Sequence, residues 1–366
     1  MKKLNFTSPI GGTGYGIAGI NILSELQKTH DISLFLIGQP LLDNNEEADL
    51  IQKVVMNQDS FDFNAPCLKI WHQFDLSHRI GKGKLFAYPF FELDTFTDRE
   101  KHHLHHPDHI IVSSAWAKGI LKANKIKTKV SIAPLGVDRN IFNDSKVSKE
   151  NLEKLPYVFL TVGKWEKRKG HDVLIEAFNN AFTEEDNVEL WMATYNPFLN
   201  EEQTKYWTNM CQSSKLSKKI KIFNRLKTHS NVAELMSYAS CGVFVSRAEG
   251  WNLELLEMMS MGKPVIATNY SSHTEFCNKD NAYLVETTET EPAVDDRWFK
   301  GEGNWAKIND SNKEQIVEYM RLVYNDNIRE NAHGIETAKK FSWANSASII
   351  TKILEENDAY PKTKSK

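Results

Sequence analysis

Strand-sized apolar runs alternate with helix-like segments along this chain, and the alternation starts twice in the same way. Near the N-terminus, the run from Leu4 to Ile10 leads into GGTGYG and then into IAGINILSEL, where apolar residues recur at helical spacing. The run from Tyr157 to Val162 leads likewise into GKWEKRKG and DVLIEAF. Alternation of this kind predicts an α/β fold in which helices cover parallel sheets.

Further strand candidates continue the pattern through both halves of the chain. They are Ile32–Ile37, Leu68–Trp71, Leu85–Tyr88, His109–Val112, Val130–Ile132, Val188–Ala193, Ile220–Phe223, Gly242–Ser246 and Pro264–Thr268. A chain of 366 residues is longer than one hydrophobic core usually serves, so we expect two domains with a cleft between them. The polar stretch from Asn143 to Pro156 places the boundary near residue 150. We therefore predict domains over 1–150 and 151–340, followed by a helix over 341–366 that ends in a basic KTKSK tail.

Composition restricts the class of protein and its partners. Hydrophobic residues make up 41% and charged residues 25%, which is ordinary for a folded, soluble protein. A net charge of -3 gives no global reason to expect a nucleic acid or membrane partner. The four cysteines are scattered without metal-ligand spacing, and no apolar run is long enough for a signal peptide core or a membrane span. We expect free thiols and a cytoplasmic protein.

The segment EGWNLELLE carries two glutamates, Glu249 and Glu257, in a strand-to-helix setting. CGVFVS supplies a buried strand, and Asn252 to Met261 is typical of a helix that Gly262 ends. The free N–H groups of such a helix suit a diphosphate. We place Glu257 about two turns into the helix, which predicts a separation from Glu249 approaching 10 Å at about 1.5 Å per residue. Two ionised carboxylates at that spacing suit the hydroxyls of a sugar and of a ribose. The alternative is a helix-cap anion at Glu249 and a solvated helix residue at Glu257.

With its flanks, this segment resembles the E-x7-E signature of the retaining family-four glycosyltransferases, the glycosyl transferases group 1. The two glutamates, Gly262, Lys263 and Pro264 are among the matching residues. The resemblance implies a GT-B fold, in which two Rossmann-like domains with parallel sheets face each other across a cleft. It also implies that Glu249 holds the transferred sugar and Glu257 the ribose.

Three residues depart from the usual signature: Trp251 replaces Phe, Asn252 replaces Gly and Glu254 replaces Pro. We expect Trp251, Asn252 and Leu253 to line the donor site beside Glu257. The departures leave the donor sugar and the acceptor open.

The segment VGKWEKRKGHDVLIEAF resembles the basic motif of the same family. The matching positions imply that Lys164 and Lys169 contact the donor diphosphate, where two cations would stabilise the charge on the departing nucleoside diphosphate. Lys164 stands where Arg is commoner, so its contact is that of a point charge. The alternative is an exposed basic turn. The family reaction needs no cofactor and no metal held by the protein.

Gly14, Gly16 and Gly19 satisfy G-x-G-x-x-G after a strand, a pattern that also occurs in dinucleotide-binding folds. The acidic residue that such a fold needs after its second strand is missing, because ISLFLIG is followed by Gln39. In the family, the corresponding loop closes over the donor phosphates, and Gly14 and Gly16 would permit a close backbone approach. A plain tight turn is the alternative.

Two N-terminal residues match positions at which many relatives contact their substrates. His72 follows the strand LKIW, where an N-domain histidine contacts the transferred sugar, and Glu92 resembles a glutamate that serves the acceptor side. A purely structural histidine is the other interpretation of His72. The cluster HHLHHPDH, His102 to His109, lacks partnering acids or cysteines and favours a solvated helix over a metal site.

Residues 115–129 hold five lysines and no acidic residue: Lys118, Lys122, Lys125, Lys127 and Lys129. Trp116, Ile120 and Leu121 lie among them. Two interpretations stay open, a membrane-surface helix that serves a lipid acceptor and a solvated face.

The sequence thus predicts a retaining glycosyltransferase that moves a hexosyl unit from a nucleotide diphosphate sugar to an acceptor hydroxyl of a glycan, lipid-linked sugar or other glycoside. Two alternatives remain, a sugar-nucleotide epimerase of related fold and a catalytically silent GT-B binding protein. A nucleic acid acceptor is disfavoured, because no strong basic stripe is present.

Overall fold

A computed structural model describes residues 1–295 and 297–360, so the predicted KTKSK tail lies outside the described residues. The chain forms two compact units. The first consists of residues 1–91 and 95–136 together with the chain from Phe341 onward, and the second consists of residues 92–94 and 137–340.

The first unit is built on a six-stranded parallel sheet. Its strand order is β2-β1-β3-β4-β5-β6. The strands are β1 (Lys2–Ser8), β2 (His30–Leu36), β3 (Cys67–Lys69), β4 (Leu85–Ala87), β5 (His109–Val112) and β6 (Lys129–Ile132). The helices between them are α1 (Gly14–Leu26), α2 (Asn45–Met56), α3 (Asp98–His105) and α4 (Ala115–Ala123).

The second unit is built on a second parallel sheet with the order β12-β11-β10-β7-β8-β9. Its strands are β7 (Tyr157–Val162), β8 (Val188–Ala193), β9 (Ile220–Phe223), β10 (Cys241–Phe244), β11 (Val265–Thr268) and β12 (Tyr283–Val285). The hairpin strands β13 (Thr290–Val294) and β14 (Lys300–Ala306) follow. The helices are α5 (Lys149–Lys154), α6 (His171–Ala181), α7 (Glu201–Gln212), α8 (His229–Tyr238), α9 (Leu253–Ser260), α10 (Asp310–Asn325) and α11 (Ala332–Lys340). The last helix, α12 (Trp343–Glu356), belongs to the first unit and packs against α1.

Strand order creates one crevice in each sheet. In an open α/β sheet, ligands bind where the connections from two neighbouring central strands leave in opposite directions, beyond the carboxyl ends of those strands. In the first sheet this point lies between β1 and β3, and in the second it lies between β7 and β10. The topology therefore brings the loop after β1 to the end of β3, and the loop after β7 to the end of β10.

The predicted strands correspond to β1 through β11, and the predicted α/β class with parallel sheets is confirmed. The second unit begins at Val137, before the boundary predicted near residue 150. The reason is that residues after Val137 pack on α9: Arg139 Nη1 donates to Ser260 O (3.2 Å), and Ser260 Oγ donates to Phe142 O (2.6 Å).

The sequence did not predict β12 or the β13–β14 hairpin. The segment TTETEP is polar and contains a proline, so it lacks the apolar run of a central strand. The hairpin is held instead by a few buried residues. Trp305 is fully buried against Ala248 and Ala293, with Leu93 and Tyr270 beside them. Ala306 N–H donates to Arg247 O (2.9 Å), which fixes the hairpin to the loop after β10.

We expect Trp305→Ala to lower the free energy of unfolding of the second unit by about 3–5 kcal/mol, because a large buried ring leaves a cavity. Trp298, at the tip of the same hairpin, is 53% exposed and provides the matched control. Trp298→Ala should stay within about 0.5 kcal/mol of the parent. Urea unfolding measures both changes, and equal losses would show that Trp305 does not anchor the hairpin.

Candidate functional site

The loop after β7 carries the predicted lysines and is fixed against β10. Residues Lys167–Lys169 form a 3-10 turn that ends at Gly170, whose φ of 73° lies in the left-handed region. A Cβ at Gly170 would lie 2.1 Å from Val245 O, so only glycine fits. This close approach places Lys169 beside the loop that holds Glu249.

Glu249 lies at the centre of a buried charge cluster. Its Oε2 accepts from Arg168 Nη1 (2.7 Å), and its Oε1 accepts from Ser246 Oγ (2.8 Å) and pairs with Lys169 Nζ (2.9 Å). The residue is only 4% exposed. Burial alone would raise the pKa of Glu249, but the charges of Arg168 and Lys169 outweigh it and hold the pKa well below the ordinary value. Glu249 is therefore an ionised carboxylate with a fixed orientation, and three donors leave part of its acceptor capacity free.

Arg168 connects this carboxylate to a second one. Its Nη1 also donates to Ala248 O (2.8 Å), and its Nη2 donates to Glu166 Oε2 (2.8 Å). Lys164 Nζ pairs with Glu166 Oε1 at 2.9 Å and is the most exposed cation of the series. Lys164, Glu166, Arg168, Glu249 and Lys169 thus form one chain of alternating charge.

Sequence reasoning missed Arg168 and Glu166. The segment EKRK contains three consecutive cations, and nothing in the pattern shows which of them is buried. Glu254 Oε2 lies 3.9 Å from Lys169 Nζ and adds a third carboxylate beside the three cations. Cations at the carboxyl end of a central strand suit an anionic ligand.

The helix α9 begins next to the cluster and takes an unusual N-cap. Asn252 adopts a φ of 83°, and its side chain accepts from Leu255 N–H (3.2 Å). Its Nδ2 donates to His273 Nε2 (2.9 Å), while His273 Nδ1 donates to Thr268 O (3.0 Å). Burial lowers the pKa of His273, which agrees with this neutral tautomer. The left-handed backbone explains why the family usually has glycine here, and asparagine tolerates the same conformation.

Glu257 differs from Glu249 in its electrostatic environment. It is the fifth residue of α9, a little more than one turn from the start, so the prediction of about two turns was wrong. Its side chain is buried without a hydrogen-bonding partner among residues 1–295 and 297–360. Burial, with the nearby charge of Glu254, raises its pKa well above the ordinary value. The prediction of two ionised carboxylates stays a prediction. A raised pKa makes the Glu257 carboxyl group easier to protonate, and a protonated carboxyl group can donate as well as accept.

Two apolar residues within the segment EGWNLELLE are buried in the packing of the second unit. Trp251 lies against Phe276, with ring centroids 4.9 Å apart, and Leu253 is buried at the first position of α9. Lys263 is fully buried and donates to Ser237 O (2.8 Å) and Ala239 O (2.6 Å). This lysine satisfies carbonyl groups at the end of α8, and burial lowers its pKa to about 7.

Glu92 lies within the second unit through the short segment 92–94. Burial raises its pKa; the positive charge of Arg168 opposes this shift, and the carboxylates of Glu249 and Glu166 add to it. Asp94 accepts from Asn304 N–H at 2.8 Å, which ties the segment to β14. Glu92 therefore adds a second carboxyl group with a raised pKa beside the cluster.

In the first unit, the structure brings His72 close to the predicted glycine motif. Tyr15, between Gly14 and Gly16, lies 4.4 Å from the His72 ring, which stacks on Phe74. The Tyr15 hydroxyl donates to Phe90 O (2.7 Å) and accepts from Phe90 N–H (2.9 Å). The sequence did not predict a role for Tyr15, because its position inside the glycine motif gave no separate signal.

Gly14 and Gly16 do not lie in the loop, where the sequence placed them. They form the first turn of α1. A Cβ at Gly16 would lie 2.4 Å from Gly11 N, so this glycine is required by the packing of the turn on its own loop. Open space surrounds Gly14, which leaves its amide region accessible. Donor contacts of both residues stay predictions.

The basic stretch and most of the histidine cluster lie on the surface of the first unit, whereas His109 is buried at the start of β5. The helix α3 carries His102, His103 and His105, as predicted, and starts at a capping box formed by Thr97 and Glu100. Over the described part of the chain, no group of three or more His, Cys, Asp or Glu is placed to hold a metal ion. In the stretch 115–129 the five lysines are exposed, whereas Trp116 and Ile120 pack partly on the core. Within that same part of the chain, the helices are all too short or too polar to cross a membrane.

The arrangement agrees with comparisons to known proteins. Residues 142–296 match the model of the family described as glycosyl transferases group 1. The chain is 26% identical over 173 residues to the alpha-monoglucosyldiacylglycerol synthase of Streptococcus pneumoniae, covering 45% of this chain and 38% of that protein. Against three curated relatives, the matched region spans between 38% and 60% of the relative's length.

Solved structures match almost the whole chain. A sucrose-phosphate synthase from Thermosynechococcus elongatus aligns with a TM-score of 0.71 and 14% identity, covering 97% of this chain and 99% of that one. HepE from Anabaena, in complex with UDP and glucose, aligns with a TM-score of 0.70 and 16% identity, covering 97% and 100%. The fold is GT-B, as predicted. The region that matches the group 1 family model, residues 142–296, holds both lysines and both glutamates of the site.

We expect Arg168→Met to destabilise the second unit by about 3–5 kcal/mol near neutral pH, because Glu166 and Glu249 remain buried with one cation fewer. Arg168 lowers the pKa of Glu249, so this contribution is present above the ordinary glutamate pKa and is lost as the pH falls through the lowered value. The difference from the parent should therefore shrink in acid. Urea unfolding over a pH series measures it.

The matched control is Lys307→Met, which breaks an exposed pair with Glu289 (2.9 Å) in the same unit. Its stability should stay close to that of the parent. A pH-independent loss in Arg168→Met would show that packing, not charge, explains the effect.

A second prediction concerns the left-handed N-cap of α9. Both Asn252→Gly and Asn252→Ala remove the cap and the His273 contact, but alanine adds strain at a φ of 83°. We expect the alanine variant to be less stable than the glycine variant by about 1–2 kcal/mol. Thermal unfolding compares the two, and an alanine variant as stable as the glycine variant would contradict the strain.

Proposed function

We propose that this protein is a retaining glycosyltransferase that moves a hexosyl unit from a nucleotide diphosphate sugar to an acceptor hydroxyl. The observation that carries the proposal is the placement of Glu249 between Arg168 and Lys169, with Lys164 nearby, at the carboxyl ends of β7 and β10. The match of residues 142–296 to the group 1 family model supports it.

Each residue has a distinct part in the proposed reaction. The amino-terminal end of α9 and the cations Lys164 and Lys169 hold the diphosphate, and they stabilise the charge that develops on it as it departs. The ionised Glu249 accepts hydrogen bonds from the sugar hydroxyls. Glu257, with its raised pKa, both donates to and accepts from the ribose hydroxyls.

The route proposed for retention of configuration is a reaction on one face of the sugar, since no side chain of the site is assigned as a nucleophile for two successive inversions. The bond between the anomeric carbon and the phosphate oxygen breaks, and the acceptor oxygen forms its bond to the same carbon from the same face. The acceptor proton passes to the departing phosphate oxygen. No cofactor and no protein-held metal take part in this route.

The acceptor class and the location are part of the same proposal. The streptococcal relative is named as a synthase of a glucosylated diacylglycerol, so a lipid-linked acceptor is one class to test beside glycans. Residues 115–129 are the predicted membrane contact for such an acceptor. The four cysteines are free and buried, which supports a reducing, cytoplasmic location.

The test is turnover by the purified protein with a panel of UDP-, GDP- and ADP-sugars, starting from UDP-glucose because HepE was solved with UDP and glucose. Thermal shift ranks the donors first, since a ligand that binds only the native state raises its apparent stability. We expect Lys169→Ala and Glu249→Ala to lower kcat by about 10²–10³-fold.

Two controls separate chemistry from folding. Lys307→Ala and Glu289→Ala remove one cation and one carboxylate from an exposed pair of the same unit and should keep full activity. The shape-conserving Glu249→Gln should retain the parent's thermal stability more closely than Glu249→Ala, yet stay inactive. Full activity in both Lys169→Ala and Glu249→Ala would overturn the assignment.

Product analysis separates the alternatives. Proton NMR of the product should show the anomeric configuration of the donor, and an inverted product would exclude retention. Release of an epimer without an acceptor would identify an epimerase. Donor binding without any turnover would identify a silent binding protein.

A further inference from the structure

A cavity of about 430 Å³ lies in the first unit, at the edge of the sheet away from His72. It opens at the amino-terminal ends of three neighbouring parallel strands. Lys84 directly precedes β4, His109 begins β5 and Lys129 begins β6. Lys127 and Asn357 complete this wall. None of these residues takes part in the proposed transfer reaction.

The cavity is strongly cationic. Lys84, Lys127 and Lys129 are exposed around it. Its one acidic lining residue, Asp108, is already engaged, because Oδ2 accepts from Leu85 N–H (2.8 Å) and from Arg79 Nη1 (3.3 Å). Because Arg79 pairs with this carboxylate, the three lysines leave the cavity with an excess of positive charge; Lys84 Nζ also donates to Asn357 O (2.6 Å).

His109 supplies an unused polar group in the same wall. It is only 4% exposed, and its Nε2 lies 2.9 Å from Ser131 Oγ. Its Nδ1 is buried and has no hydrogen bond of good geometry within the described residues; the Asn357 side chain, whose amide donates to Ile353 O (2.8 Å), is a weaker polar neighbour of the ring. Burial, and then the charge of Lys129, lower the pKa of His109 to about 4, and Asn357 opposes this shift.

The ring of His109 is therefore neutral near pH 7. When Ser131 donates to Nε2, the single ring proton lies on Nδ1, where the described residues supply no well-aligned acceptor. A buried donor without an acceptor costs free energy, and an acceptor from a ligand would remove that cost. The other cavity histidine, His105, is already satisfied by Lys101 O (2.7 Å) and Lys127 N–H (3.2 Å).

We infer that this cavity binds a phosphate group, held by Lys84, Lys127 and Lys129 and by a hydrogen bond from His109 Nδ1. A phosphate supplies several acceptor oxygens together with the negative charge that three lysines require. The same group occurs on free phosphates and on the head groups of anionic lipids. Lys127 and Lys129 also belong to the basic stretch 115–129, which extends the positive surface beyond the cavity. The inference does not depend on the proposed transferase activity.

Titration with inorganic phosphate at constant ionic strength tests the site by calorimetry. We expect a dissociation constant on the order of 1 mM. The double variant Lys84→Gln/Lys129→Gln should weaken binding at least about tenfold. Lys118→Gln/Lys122→Gln removes the same charge from α4, outside the cavity, and should change binding by less than about twofold. Thermal unfolding of both double variants confirms that they fold.

The His109 ring gives a second, independent signal. Phosphate should raise the pKa of His109, because a nearby anion favours the charged imidazole, and an NMR titration of its ring protons measures the change. Absence of phosphate binding at 20-fold the expected constant, equal weakening in the two double variants, or an unchanged His109 pKa would each overturn the site.

Vesicles distinguish the two sources of the phosphate. Binding to phosphatidylglycerol vesicles that free phosphate inhibits, and that only the cavity variant loses, would identify a lipid head group. Phosphate binding with no cavity-dependent vesicle binding would identify a free phosphate compound. Vesicle binding that the α4 variant alone loses would support the solvent-exposed lysines of α4 as the membrane contact and count against the cavity.

Discussion

The second unit depends on one costly arrangement, the burial of Glu249 between Arg168 and Lys169. Removing three charged side chains from water is expensive, and their mutual attraction repays this only when the geometry is good and the remaining polar atoms are satisfied. Here Ser246 and Ala248 O complete the hydrogen bonds. The turn at Gly170 and the strand order β10-β7 are what make this geometry available. A cluster of this cost at the ligand-binding edge of a sheet is typical of functional sites.

The same sheet rule organises both units. In each unit, the strands flanking the crevice bring together residues that are far apart in sequence. The loop after β1 contacts His72, and the loop after β7 contacts Glu249. The two crevices differ in chemistry. The first is lined by aromatic rings, Tyr15, Trp71 and Phe74 around His72, and the second by charges. The predicted division between an acceptor side and a donor side stays a prediction.

Much of the fold and part of the candidate site could be predicted from the sequence, because apolar periodicity indicates burial and because glycine and proline mark turns. The central strands and the segment EGWNLELLE follow those signals. The charge network could not be predicted, since nothing in EKRK shows which side chain points inward. Nor could the raised pKa of Glu257 be predicted, because it comes from burial and from Glu254 and depends on packing that no local pattern encodes. The hairpin β13–β14 was not predicted, because it has no apolar run. Two buried residues, Ala293 and Trp305, hold it instead.

The segment Glu92–Asp94 and the return of the chain at Phe341 make both units discontinuous. A fragment that stops at Gly136 would lack α12, which packs on α1, and a fragment that starts at Val137 would lack Asp94, which pairs with Asn304. Neither half of the chain therefore carries all the residues of one unit. Cutting the chain once, at Gly136, would take an anchoring element from each unit, so we expect neither half to fold as it does in the whole protein.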